Sequence, residues 1–325
     1  MMKRWLLAVL AGVLVLGVAT GGWVAYQHSY DLREERVEIG DLRGVLALPE
    51  TGGRHGLVVF VHGDGPVDAT HETFYRPIWE AFARAGYASL SWDKPGVNGA
   101  PGNWLHQSMA DRVRETLDAV AWAKGRPEID PDRIGLWGAS QAGWVLPAAS
   151  RHPDVKFMIA VGTAVNWHEQ GRFNLLAELR ERGAPAEEVA AALARREATL
   201  DHLRRGSSFE EYRAAVGESD LTADRWRFIL ANHESDAAAD LARVEVPTLL
   251  VLGGRDVHVD VADTEAGYRR LVRRLEVRSY PDATHAITPA DRGELATTAV
   301  AIAAPRSVFA EGYLDDMRRF LEGLR

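Results

Sequence analysis

Short, wholly apolar segments alternate with segments of helical periodicity along most of this chain. Residues 56–61 (GLVVFV) and 246–254 (VPTLLVLGG) are almost free of polar side chains, a pattern typical of parallel strands buried on both faces. Residues 108–124 instead repeat apolar side chains at the spacing of one face of a helix. Residues 36–48 read as two short strands joined by a turn. The alternation predicts an α/β fold with a mainly parallel, twisted sheet and helices on both faces.

The regular alternation is interrupted once. About 80 residues lie between Thr163 and Val244, where one helix and a short loop would suffice. Residues 185–205 form a convincing helix with one apolar stripe, and further apolar spacing follows. We predict a helical cap above the carboxyl edge of the sheet. Two interpretations of the cap stay open: a lid that shapes the pocket and excludes water, or an insertion without a catalytic role. The predicted domains are an N-terminal segment at 1–30, a core at 31–163 with 244–325, and the cap at 164–243.

The amino terminus carries a different apolar segment. Residues 5–26 contain no charged side chain and follow Lys3 and Arg4. A run of roughly 20 apolar residues is long enough to cross a bilayer. A second interpretation is a cleaved secretory signal with its apolar region at 6–18. A third is a buried helix of a soluble domain. We expect a single N-terminal membrane helix with the rest of the chain outside the cytoplasm, in the periplasm or extracellular space, or secreted if the segment is cleaved.

The composition is that of an ordinary globular protein and excludes several classes of function. The 325 residues carry a formal net charge of −8 and no basic cluster interleaved with aromatic side chains, so nucleic acid is not an expected partner. The chain contains no cysteine, which excludes disulfides, thiolate metal sites and a cysteine nucleophile. Its length accommodates one large α/β domain with an insertion.

A serine stands where an apolar strand meets a helix. Residues 134–143 read IGLWGASQAG, with the small residues Gly138 and Ala142 on either side of Ser140. A sharp turn at such a junction exposes the serine hydroxyl and crowds its two small neighbours together. The alternative is an ordinary strand followed by a serine that caps a helix.

Two further predicted strands end in groups that a serine nucleophile needs. The strand at 246–254 is followed by Asp256, and the strand at 275–280 by His285. Serine is a poor nucleophile unless a base accepts its proton and a third group orients that base. Because parallel strands end at the same edge of a sheet, Ser140, His285 and Asp256 are expected to meet. Asp260 is the second choice for the acid, and Asp282 is too close to His285 along the chain.

The strand at 56–61 ends in a turn with the sequence HGDGP, residues 62–66. Acyl transfer requires backbone donors that stabilise an oxyanion. The HGDGP segment resembles the oxyanion turn of the α/β-hydrolase superfamily, and this resemblance implies that the donors are the amides of Asp64 and Gln141. The side chain of His62 is interpreted as structural, holding the turn through backbone groups.

Together these segments resemble the α/β-hydrolase superfamily, of the serine esterase and thioesterase type related to dienelactone hydrolases and acyltransferase-like hydrolases. The resemblance implies a Ser140–His285–Asp256 triad and transfer of an acyl group from a small-molecule ester or thioester, without a cofactor. The usual second glycine of the elbow is alanine at position 142. The matching segments are HGDGP at 62–66, SWDKPGVNG at 91–99, GASQAGW at 138–144, GGRD at 253–256 and YPDATH at 280–285.

Alternative chemistry is weighed on the same residues. Asp256, His258 and Asp260 could be drawn as a metal cluster, but they would need a fourth ligand, and we expect no metal. A serine peptidase-like hydrolase would use the same triad, and a membrane-tethered binding module could keep the fold without catalysis. The complete order of Ser140, Asp256 and His285 favours an active serine hydrolase.

Overall fold

Eight strands form one sheet within residues 20–217 and 220–324, which the computed structural model describes. The strands follow each other in the sheet as β1-β2-β4-β3-β5-β6-β7-β8. The first two form an antiparallel hairpin, β2 is antiparallel to β4, and all other neighbours are parallel. The strand bounds are β1 Leu32–Ile39, β2 Leu42–Pro49, β3 His55–Val61, β4 Tyr87–Trp92, β5 Ile129–Ala139, β6 Val155–Val161, β7 Thr248–Gly253 and β8 Leu275–Tyr280.

Helices cover both faces of the sheet, which explains why β3, β4 and β7 are buried along their whole length. One face is covered by α1 and α11, with Phe82 and Met317 in its core. The other face is covered by α2, α3 and α9, with Val120 and Tyr268 in its core. The helices are α1 Arg76–Arg84, α2 Met109–Lys124, α3 Leu146–Ala149, α4 Trp167–Glu181, α5 Ala186–Arg204, α6 Phe209–Val216, α7 Ala223–Asn232, α8 Ala238–Leu241, α9 Val261–Leu271, α10 Glu294–Ala303 and α11 Tyr313–Glu322. The predicted α/β architecture is confirmed.

Two predicted helix starts are wrong, for local reasons. The pattern indicates a helix from Thr70, but α1 begins at Arg76 because His71, Glu72 and Thr73 have φ values of 47°, 51° and 78°. Those values lie in the left-handed region, which a right-handed helix cannot include. After Ser140 the chain forms a 3-10 turn over residues 140–144 before the short helix α3, not a continuous α-helix.

Five helices, α4–α8, lie between β6 and β7 and form the cap. Part of the cap has a small core of its own, in which the rings of Tyr212 and Trp226 stack with centroids 4.2 Å apart and pack against Leu200 and Leu203. The cap is therefore a packed unit and not a long loop.

The predicted N-terminal membrane helix falls mostly on residues 5–19, outside the described part of the chain. Residues 20–28 are helical. Among the described residues, no helix combines the length and apolar character needed to span a bilayer.

Candidate active site

Ser140 lies on a sharp turn between β5 and α3. Its φ is 54°, in the left-handed region that non-glycine residues adopt mainly under structural constraint. A Cβ at Gly138 would lie 2.6 Å from the Cβ of Ala142 and 2.9 Å from the carbonyl oxygen of Val61. Position 138 must therefore be glycine, and the methyl group of Ala142 is accommodated because position 138 has no side chain.

His285 and Asp256 form a close pair at the ends of β8 and β7. His285 Nδ1 lies 2.7 Å from Asp256 Oδ2. Asp256 Oδ1 accepts hydrogen bonds from the amides of His258 (2.7 Å) and Val259 (2.9 Å), and the side chain is only 1% exposed. Gly162 adjoins the imidazole, where a Cβ would lie 3.1 Å from Nδ1. Because one carboxylate oxygen is held by the backbone, the other is fixed in its orientation toward His285.

The other two carboxylates considered for the acid are engaged elsewhere. Asp260 accepts hydrogen bonds from the amides of Ala262 and Asp263 and so caps α9. Asp282 is exposed and lies 3.6 Å from Arg255. Among the described residues, no group of three or more potential ligands is arranged so that it could hold a metal ion.

Ser140 and His285 line one cavity of about 510 Å³. Its wall also includes the two residues whose amides are expected to bind the oxyanion, Asp64 and Gln141. Most of the remaining wall is apolar, and the cap contributes to it. Apolar lining residues include Phe74, Trp137 and Phe309 from the core and Trp167, Phe228 and Ile229 from the cap.

The HGDGP turn lies directly against the serine. A side chain at Gly63 would begin 3.4 Å from Ser140 Cβ. The side chains of the two expected oxyanion residues contact each other, since Gln141 Nε2 donates to Asp64 Oδ1 at 3.0 Å. Arg112 Nη1 donates to Gln141 Oε1 at 2.7 Å from the other side. These bonds fix the two segments relative to one another.

Asp64 also connects the turn to the cap. Arg225 of α7 donates to both carboxylate oxygens, with Nη1 2.9 Å from Oδ1 and Nη2 2.5 Å from Oδ2. Burial alone would raise the pKa of the Asp64 carboxyl, but the hydrogen bonds and charge of Arg225 outweigh it and hold that pKa below its ordinary value. Asp64 is therefore a carboxylate that is already paired.

A buried lysine also holds the HGDGP turn, through hydrogen bonds to its carbonyl oxygens. Lys94 Nζ donates to the carbonyl oxygens of Gly63 (2.5 Å) and Gly65 (2.9 Å) and lies 4.7 Å from the ring centroid of Trp104. Burial, with the nearby charge of Arg112, lowers the pKa of Lys94 well below its ordinary value. The amino group of Lys94 therefore holds the HGDGP turn.

Sequence reasoning missed two residues of this network. Arg112 could have been identified from the sequence, because it is a charged residue on the otherwise uncharged buried face of α2. No local pattern identifies Arg225, since its partner Asp64 is 161 positions away.

His62 has the structural role expected from the sequence. Its Nε2 lies 2.6 Å from the carbonyl oxygen of Trp92, so Nε2 carries the proton and donates. Its Nδ1 lies 3.0 Å from the hydroxyl of Tyr75, which then donates to the unprotonated nitrogen. Burial lowers the pKa of His62 well below its ordinary value, and the charge of Lys94 adds to the effect. The neutral imidazole thus links β3, β4 and the start of α1.

We expect the free energy of unfolding to fall as the pH drops below about 6.5, the ordinary pKa of histidine. Below that pH the unfolded chain binds a proton at His62, whereas the folded chain keeps this ring neutral, so acidification favours unfolding. One such histidine contributes a slope of up to about 1.4 kcal/mol per pH unit. The free energy of unfolding, measured with urea at several pH values, should depend less steeply on pH in His62→Gln than in the parent. An identical slope in both would contradict the assignment.

The chain is similar to several known hydrolases. The family described as serine aminopeptidase S33 matches residues 52–292. Thiohydrolase apmlB of Arthrinium phaeospermum is 34% identical over 138 residues, which are 39% of this chain and 42% of that protein. Esterase EstD of Thermotoga maritima is 21% identical over 262 residues, 78% of this chain and 59% of that protein. The solved structure of the Pyrococcus furiosus esterase Pf2001 covers 93% of each chain with a TM-score of 0.57 at 16% identity, a likeness of fold.

Proposed function

The chain belongs to the serine aminopeptidase S33 family and is an α/β-hydrolase, and from this premise we propose that it cleaves a carboxylic ester or thioester through an acyl-enzyme on Ser140. One observation carries the proposal. His285, which is paired with Asp256, lines the same cavity as a serine held in a left-handed turn. This arrangement supports a Ser140–His285–Asp256 triad for acyl transfer.

The proposal assigns a role to each of these residues. Asp256 accepts the Nδ1 proton of His285, which leaves Nε2 as the base that takes the proton of the Ser140 hydroxyl. The serine oxygen attacks the substrate carbonyl, and the amides of Asp64 and Gln141 hold the resulting oxyanion. His285 then protonates the leaving alcohol or thiol. Water activated by His285 releases the acid and restores Ser140.

The cavity favours an ester or thioester over a peptide with a free amino terminus. Such a peptide needs a carboxylate to bind its ammonium group. Within the described lining the one acidic side chain is Asp64, and Arg225 already pairs with both of its oxygens. An apolar wall instead suits the acyl chain of an uncharged substrate. The relatives named esterase and thiohydrolase support this preference.

Pre-steady-state hydrolysis tests the proposal. Mixing the protein with p-nitrophenyl acetate should release a burst of p-nitrophenol equal to the enzyme present, because acylation precedes slower deacylation. The burst should persist after treatment with a chelator, and mass spectrometry of quenched samples should locate the acetyl group on Ser140. A panel of acyl thioesters and amino-acid p-nitroanilides then separates the substrate classes. Faster cleavage of the anilides, or acetylation elsewhere, would contradict the proposal.

The Arg225–Asp64 pair should be required for full turnover. We expect Arg225→Ala to lower kcat about ten-fold, or roughly 1.4 kcal/mol of transition-state stabilisation, because the expected oxyanion turn loses its connection to the cap. A conservative Arg225→Lys change should restore part of the loss. Arg227→Ala is the matched control, since Arg227 is exposed on the same helix. Equal kcat values for Arg225→Ala and Arg227→Ala would show that the pair does not support the turn.

Membrane attachment is the remaining part of the proposal. The uncharged residues 5–26 after Lys3 and Arg4 support a single anchor, with the positive residues on the cytoplasmic side and the hydrolase domain outside. In this arrangement the substrate is met in the periplasm or outside the cell.

A further inference from the structure

Helix α10 exposes its apolar side chains. Leu295 is 89% exposed and Ile302 is 68% exposed. Residues 295–304 include no charged side chain. The opposite side of the helix is in contact with the core through Val300 and Ala301. A surface helix normally turns polar side chains outward. From residue 295 onward α10 has no charged side chain on either face, which is typical of a helix that contacts something other than water on its outer side.

A second apolar segment is bonded to the chain just after α10. In the helical residues 20–28, Trp23 is 48% exposed and Tyr26 is 59% exposed. Arg306, three residues after α10, connects the two segments. Its guanidinium lies 4.4 Å from the ring centroid of Tyr26 and donates to the carbonyl oxygens of Tyr26 and Ser29.

This connection is anchored inside the domain. Arg306 Nη2 lies 2.6 Å from Oε1 of Glu80, a buried carboxylate on α1. The same guanidinium lies 4.8 Å from the ring centroid of Tyr30. Because Glu80 and Arg306 belong to the core, the end of the N-terminal segment is held against the same region of the surface as α10.

The distribution of exposed apolar side chains is uneven. Within the described residues six large hydrophobic side chains are exposed, and five of them belong to these two segments. The sixth, Val216, is on the cap. We define the apolar surface as Trp23, Val24, Tyr26, Leu295 and Ile302. Clusters of this kind mark interaction sites more often than scattered single residues do.

We propose that the apolar surface lies in the headgroup region of a lipid bilayer, so that α10 forms a second membrane contact beside the N-terminal anchor. This inference rests on the proposed anchor. The sequence that leads into Trp23 is uncharged from residue 5 to residue 22. Tryptophan and tyrosine are the side chains enriched at membrane interfaces, and an uncharged helix face can lie in the plane of that interface.

Two contacts have a consequence that a single anchor lacks. A domain on one flexible tether rotates freely above the bilayer, whereas a second contact fixes which side faces the lipid. Phe309 and Tyr313, which follow α10 closely, line the catalytic cavity. The contact therefore holds the cavity at a constant orientation close to the membrane.

Site-specific labelling tests the inference with the full chain, since the protein has no cysteine of its own. Ile302→Cys and the matched control Val216→Cys each introduce one thiol on an exposed apolar position for an environment-sensitive NBD label. Both proteins are reconstituted into phosphatidylcholine–phosphatidylglycerol vesicles with and without doxyl-labelled lipids. We expect blue-shifted emission and several-fold stronger doxyl quenching at I302C than at V216C.

Flotation of the same vesicles separates the inference from the anchor. If the protein floats with the vesicles but both labels report water, the second contact is wrong and the anchor stands. If the protein does not float, both are wrong. The lipid contact is overturned if a second copy of the chain covers the surface instead. The I302C label would then be as shielded in detergent micelles at high protein concentration as it is in vesicles, and doxyl-labelled lipids would not quench it.

Discussion

Replacing Ser140 with alanine should lower kcat for ester hydrolysis on the order of 10⁶-fold, the scale seen when a triad serine is removed. The variant keeps a Cβ at the left-handed position, so the turn between β5 and α3 has the same backbone requirement as in the parent. The loss then reports missing chemistry and not a missing fold. Residual hydrolysis would come from the expected oxyanion amides and from binding.

Two measurements check this result. The parent should react with a fluorophosphonate probe at one site, and Ser140→Ala should not. Ser307→Ala is the control, because Ser307 is exposed and lies far along the chain from the catalytic turn. If Ser140→Ala hydrolyses p-nitrophenyl acetate like the parent, the serine assignment is wrong and the triad with it.

Replacing Asp256 with asparagine should lower kcat roughly 10⁴-fold while the cavity keeps its shape. The amides of His258 and Val259 donate to one oxygen of this side chain, so the asparagine carbonyl takes that place and its amino group faces His285. The Nδ1 atom must then accept, which moves the imidazole proton to Nε2. A protonated Nε2 cannot take the proton of Ser140.

The neighbouring carboxylates supply matched controls. Asp260→Asn keeps a side-chain oxygen that can cap α9, and Asp282→Asn changes an exposed residue. Both should retain kcat/KM within a few-fold of the parent. Measured with one ester under one set of conditions, a loss at Asp260→Asn or Asp282→Asn as large as that at Asp256→Asn would reassign the acid.

The fold could be predicted because its signals are local. Strand β8 has the bounds that the sequence pattern indicated, Leu275–Tyr280. The capping box of Ser108 and Asp111 starts α2 where the pattern placed it. The approach of Asp256 to His285 followed from the rule that parallel strands end at one edge of a sheet.

The rest depends on contacts that no local pattern records. The left-handed residues before α1 show no glycine at positions 71–73, so the sequence gives no warning of the turn. The bond between Arg225 and Asp64 joins the cap to the core across 161 positions. The outward-facing Leu295 and Ile302 are ordinary helix formers in sequence, and only their exposure distinguishes them.

The small core of the cap bears on how substrate range can diversify. Because Tyr212 and Trp226 pack with Leu200 and Leu203 inside the cap itself, this part of the cap does not depend for its packing on the three residues of the proposed triad, and its sequence can change without altering their spacing. A cap grafted from another hydrolase would need an arginine that pairs with Asp64. Without it, the HGDGP turn beside Ser140 would lose its contact with the cap.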